Sequence, residues 1–113
     1  MIVVSFFTAC KGDINTELKG KTFEYSNGLY GSNRIWSSYK FERSGNVYHE
    51  SQVGNAPKFD TKGCALYYTL EDKTLTIYHG SRGWKKEVRN TVYASGEYFD
   101  DYLVIDGLRY MLQ

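Results

Sequence analysis

The sequence predicts an all-β domain, a small closed antiparallel β-barrel of about eight strands. Three observations predict it. From Lys21 onward the apolar residues recur with period two. Turn dipeptides interrupt this alternation at short intervals. No stretch places apolar residues at the i, i+3, i+4 and i+7 positions of a helix. Closing the sheet removes its edges, which an exposed sheet must otherwise manage. An interior of this strand number is about wide enough for side chains to fill. Eleven Tyr and six Phe are available to fill it. A sandwich of two sheets is the alternative arrangement of the same strands.

The first strand is expected at 21–26 and ends at Asn27-Gly28. The second, at 34–42, sets Ile35, Ser37, Tyr39 and Phe41 against Trp36, Ser38, Lys40 and Glu42. Ser44-Gly45-Asn46 turns the chain into a third strand at 47–53. A connection at 54–63 follows, long for a hairpin and holding the chain's one Pro. Strands at 64–71 and 75–79 flank the turn Glu71-Asp72-Lys73. Within the latter, Leu75 and Ile77 share one face. Ser81-Arg82-Gly83 precedes a strand at 84–94. It has Trp84, Val88 and Val92 on one side and Lys85, Glu87, Arg89, Thr91 and Tyr93 on the other. The last two strands, 98–105 and 108–112, meet at Asp106-Gly107. Both of those residues accept positive φ, which predicts a tight hairpin. Leu103, Ile105, Tyr110 and Leu112 are expected to carry its core contacts.

The length of 113 residues fits one domain. Aromatic residues at 17% are too many for a disordered chain. Two Cys are too few for a disulfide scaffold. A net charge of +1 lacks the basic excess of a dedicated nucleic-acid binder. No apolar run approaches the roughly 18 residues of a membrane-spanning helix.

Residues 1–9 are apolar and end in the small pair Thr8 and Ala9 before Cys10. This is the pattern of a secretory signal followed by a lipobox. It divides the chain into a signal-peptide remnant at 1–9, a lipid anchor and tether at 10–20 and the barrel domain at 21–113. Cys10 would become the acylated first residue and hold the protein at the outer membrane or cell surface, with release of some of it from there also expected. Phe7 stands where an aliphatic residue is usual. The apolar stretch is short and no Lys or Arg precedes it, as though the true start lay upstream. The competing reading is a buried first strand, since residues 2–7 are β-prone. Cys64 is then a small buried hydrophobe, or the partner of Cys10 in a disulfide that pins the tether.

Catalytic and cofactor chemistry find little support. Neither His49 nor His79 has a second His or a Cys at ligand spacing, so no metal is expected. No Gly-rich loop precedes a helix, so no phosphate cradle is expected either. Nothing in the spacing favours a Cys64–His79 thiol–imidazole pair. The chain is therefore expected to be neither an enzyme nor a cofactor binder. Three surfaces are candidates for binding. In the first, Asn55, Ala56, Pro57, Lys58, Phe59 and Asp60 form a stiffened loop with an apolar side chain at its tip, and such a loop loses less entropy on binding. In the second, Leu29 and Tyr30 stand on a Gly-flanked turn. In the third, Arg82, Lys85, Lys86 and Arg89 surround Trp84, a pattern that can grip single strands, although a solvated face balanced by Glu87 is the better account.

The lipobox-like Phe7, Thr8, Ala9, Cys10 run, the polar tether and one small all-β barrel resemble the small lipocalin-like lipoproteins of the Bacteroidetes. Within them the pattern is similar to the potempins, lipoprotein inhibitors of peptidases with an OB-like barrel. The resemblance implies a lipid-anchored, monomeric inhibitor of a secreted peptidase, acting through its loops. A lipocalin-like binder of a small apolar ligand is the alternative. A barrel of this length, packed with Tyr and Phe, leaves such a ligand little volume. An OB-type nucleic-acid binder fits an exported protein poorly, and no nucleic acid is expected as a partner.

Overall fold

The computed structural model describes residues 17–62, 65–80 and 91–113. The described chain forms nine strands: β1 (Thr22–Ser26), β2 (Ile35–Phe41), β3 (Val47–Val53), β4 (Phe59–Asp60), β5 (Leu66–Glu71), β6 (Thr74–His79), β7 (Val92–Tyr98), β8 (Tyr102–Ile105) and β9 (Leu108–Leu112). All pairings are antiparallel, in the order β4-β3-β2-β1-β9-β8-β7-β6-β5. Each hairpin neighbour pairs with the next. The first and last strands meet through Phe23↔Leu112 and Glu24↔Met111.

The sheet curls into a half-barrel and does not close into the expected eight-stranded barrel. The chain leaving β3 folds straight back on it, so Phe59 and Asp60 pair with Ser51 and Glu50. β5 then meets the residue just before β3 at a single bridge, Asn46↔Tyr67. The pairing along this seam is thus split between two short stretches, and no continuous ladder forms. The outer strand β4 is two residues long, a length that blunts an edge against unwanted pairing.

The connection expected at 54–63 therefore contains a strand. The boundary expected between 84–94 and 98–105 also moves. β7 runs through to Tyr98, and the turn falls after it, with Asp100 at φ 67°. Gly96, between those two expected strands, lies inside β7. A Cβ there would sit 2.0 Å from the Val104 carbonyl oxygen, so the close approach of β8 requires glycine. The hairpin at Asp106-Gly107 forms as the sequence predicts, with φ of 54° and 77°, the positive pair of a type I′ turn. The expectations for Cys10, Cys64 and the basic set around Trp84 lie outside the described residues.

The inner face follows the period-two reading through most of its length. Phe23, Tyr39, Phe41, Leu66, Tyr68, Leu75, Ile77, Leu103 and Ile105 are all buried. Their rings meet edge to face, with Phe41 5.9 Å from Phe23 and 5.0 Å from Tyr68, the geometry that aromatic quadrupoles favour. Leu18, in the segment read as tether, is also fully buried, and Gly20 N–H donates to the Phe41 carbonyl at 2.6 Å. Ile35 and Leu112 fail to be core because they end their strands: Ile35 is 42% exposed and Leu112 37%. Ser38 departs in the other direction, buried on the face expected to be wet.

Candidate functional site

Two loops share one end of the half-barrel. The first, at 27–34, is organised by one side chain. Asn27 Oδ1 accepts from the backbone N–H of Leu29 and of Ile35, each at 3.1 Å. Its Nδ2 donates to the Asn33 carbonyl at 2.9 Å. Asn side chains favour such local backbone bonds, which makes them turn residues. A 3₁₀ turn, Gly31–Asn33, completes the loop. Leu29 and Tyr30 project from it, and Tyr30 is 88% exposed.

The second loop leans on the first. Gly54 N–H donates to the Arg34 carbonyl at 2.7 Å. Gly54 has φ 60°, and a Cβ there would meet the Ser32 carbonyl oxygen at 2.7 Å, so only glycine lets the two loops touch. Gln52 Nε2 donates to the Ala56 carbonyl at 2.9 Å. Lys58 pairs with Glu50 at 3.1 Å and lies 5.6 Å from the Trp36 ring centre. Asp60 accepts from the Lys62 N–H at 3.0 Å. These contacts hold Asn55, Ala56, Pro57, Lys58, Phe59 and Asp60 at the surface, all of them exposed. Ile35 and Val53 are register partners between the loops. With Leu29 and Tyr30 they are the exposed apolar side chains of these two loops and the strand ends beside them. The structure thus places the two predicted binding elements side by side. An open hollow of about 330 Å³ lies beside Leu29, Tyr30 and Arg34. A larger groove of about 620 Å³ follows the seam, between Lys40, Glu42, Tyr48 and Lys62 over a floor of Val47 and Leu66.

Beneath Phe59 lies a polar cluster that the sequence reading did not assemble. Its centre is His49, whose ring stacks flat on Tyr39 with centroids 4.1 Å apart. His49 Nε2 is 3.0 Å from Ser37 Oγ and Nδ1 is 2.6 Å from the Tyr93 hydroxyl. Tyr110 donates its hydroxyl to Ser37 Oγ at 3.0 Å. The Phe59 ring meets His49 edge-on at 5.8 Å. Burial holds His49 down at about 4, with Glu50 opposing, so the ring is neutral at pH 7. Burial likewise pushes the Tyr39 and Tyr110 hydroxyls up.

The alternation in sequence puts Tyr93 on the face of Lys85, Glu87 and Arg89, and the structure differs. A register shift between Ile77 and Tyr78 pairs Ile77 with Ala94 and Tyr78 with Val92. The bulge skips Tyr93 and turns it inward, as bulges re-aim side chains, while Val92 is left 53% exposed. No sequence signal marks that bulge. Ser37 was legible: it falls in the inward phase between Ile35 and Tyr39, where a hydroxyl needs a partner.

The Ser37–His49 spacing is that of a nucleophile and its base. The surroundings make it a poor one. Ser37 is only 7% exposed and already accepts from Tyr110. The group on Nδ1 is a phenol rather than a carboxylate, and the ring's low basicity makes it a weak proton acceptor. What the cluster does chemically is satisfy its own hydrogen bonds and stiffen the inner face under β4. Among the described residues no group of three metal-ligating side chains comes together, and no helix is long and apolar enough to cross a membrane. No protein family, curated protein or solved structure matches the chain.

Proposed function

We propose that this domain is a binding module that offers its loop end to a protein partner, and that the partner is a secreted peptidase which it inhibits. The observation that carries this reading is the pair of interlocked loops. They expose Leu29, Tyr30, Ile35, Val53 and Phe59 on a frame tied by Asn27 and Gly54. Exposed apolar side chains at one end of a domain suit a partner. A segment already held in shape loses little entropy when it docks. Residues 56–60 would enter a cleft in extended form, with main-chain bonds giving affinity and Phe59 giving specificity. Small-ligand binding has less support, because the described interior is filled by its own aromatic and aliphatic side chains.

The purified chain, assayed against secreted serine, cysteine and metallopeptidases, is expected to inhibit one class stoichiometrically. Failure to inhibit or bind any of them overturns the peptidase reading. The proposal places the molecule at the outer membrane or cell surface through lipid on Cys10. Cys10→Ala is then expected to move the protein from the membrane fraction to the soluble exported fraction, and unchanged partition refutes the anchor.

A further inference from the structure

We propose that His49 is an acid-sensitive clasp on β4: when its ring takes up a proton, the strand that carries Phe59 is released from the sheet.

The attachment of β4 converges on this residue. His49 N–H donates to Thr61 Oγ1 at 2.9 Å, and the His49 carbonyl accepts from the Thr61 N–H at 3.0 Å. Phe59 rests its edge on the His49 ring. The ladder to β3 adds two register pairs, Glu50↔Asp60 and Ser51↔Phe59. Lys58–Glu50 adds an ion pair exposed to solvent, and such pairs contribute little. A two-residue edge strand held this way lies at the low end of local stability.

The surroundings of the ring are built for the neutral form. From β2 it meets Ser37 and the face of Tyr39; from β7, the Tyr93 hydroxyl; from β4, Phe59. Tyr110 on β9 reaches it through Ser37, and His79 on β6 stands behind Tyr93, ring centres 5.3 Å apart. The carboxylate of Glu50, the next residue along β3, is engaged by Lys58 and Tyr48. No carboxylate is among the groups these contacts bring to the ring. A neutral imidazole donates from one nitrogen and accepts at the other, whereas the cation donates from both. Whichever nitrogen accepts in the neutral ring, the hydroxyl that donates to it, Ser37 on Nε2 or Tyr93 on Nδ1, would lose that acceptor, and the charge would be held away from water. Moving the ring outward to water relieves that cost and displaces Phe59, whose ring rests against it; the Thr61 bonds, made by the His49 backbone, are then strained through the displaced strand rather than by the ring itself.

The effect on a partner rests on the binding reading above; the clasp itself does not. The test is an NMR titration of the full chain from pH 7 to pH 4. It follows the His49 ring signals, and the Thr61 amide exchange rate corrected for the intrinsic effect of pH. As His49 titrates, the corrected Thr61 rate is expected to rise at least roughly tenfold, while the amides of Phe23 and Leu103 stay protected. His49→Gln, which keeps one donor and one acceptor without a titrating group, is expected to abolish the rise. A Thr61 amide that stays protected after His49 has titrated overturns the clasp. So does equal acid opening in His49→Gln. If the clasp opens but a peptidase the chain inhibits at pH 7 is held as tightly at pH 4, the clasp stands and the placement of the binding site on β4 fails.

Discussion

Phe59 is the residue on which the binding reading is most exposed. It is half-exposed, on the outermost strand, paired with Ser51 through the backbone, and its ring contact with another aromatic ring is the one to His49. Burying its remaining surface against a partner would contribute about 1.5 kcal/mol or more, and about 1.4 kcal/mol is a factor of ten in affinity. Phe59→Ala is therefore expected to weaken inhibition at least about tenfold. It should lower stability by no more than about 1 kcal/mol, the worth of one aromatic contact. Titration of the peptidase and a melting curve separate the two effects. Lost stability with intact inhibition would assign Phe59 to the fold and shift attention to Leu29 and Tyr30. Gly96 makes the opposite case, a residue whose role is wholly internal. Gly96→Ala forces a Cβ into the Val104 carbonyl, so β7 and β8 must separate. A loss of about 2 kcal/mol or more is expected in urea unfolding, and a neutral result would mean that the two strands do not run this close.

Among the elements, the β8–β9 hairpin has the simplest sequence logic. Leu103 and Ile105 point inward, Tyr102 and Val104 outward, and Asp106-Gly107 supplies the turn. Ile105 is fully buried although it directly precedes the turn. Ile105→Ala is expected to cost about 2–5 kcal/mol, as large-to-small core changes do. Chemical denaturation measures it, and a change below about 0.5 kcal/mol would place the side chain at the surface. β7 was harder to read. It spans the gap expected between 94 and 98, its bulge inverts the inward phase at Tyr93, and the turn that follows it lies at Asp100. Period-two reasoning holds only while the ladder is regular, and one extra residue moves every later side chain to the other face.

At the scale of the molecule, His49 links stability to pH. The unfolded ring takes up its proton near 6.5, whereas the folded ring resists until about 4. Between those values the unfolded state binds more protons, so acidification favours it. Stability from this group is whole above about pH 6.5, falls as the pH drops through that window, and is lost below about 4. The ring is partly open to solvent, which reduces the loss to about 2 kcal/mol. Urea midpoints at pH 7 and pH 4 measure it, and His49→Gln is expected to remove this component. A slope unchanged in the variant would assign the acid sensitivity to other groups.

The sequence by itself determined the class of fold, most strand positions, the type I′ hairpin and the aromatic filling of the inner face. Those properties are local: they follow from side-chain period and from which residues accept positive φ. It also pointed to the two loops, through Asn27-Gly28 and through Pro57 beside Phe59. Tertiary structure decided the rest. Whether a curled sheet closes depends on how its two ends meet, and here β5 bypasses the outer strand β4 and touches the far side through one bridge, from Tyr67 to Asn46 just before β3. The gathering of Ser37, His49, Tyr93 and Tyr110 likewise draws on four strands and one bulge. Contacts across 12 to 73 positions of chain leave no mark on local pattern, because they are set by how the sheet coils.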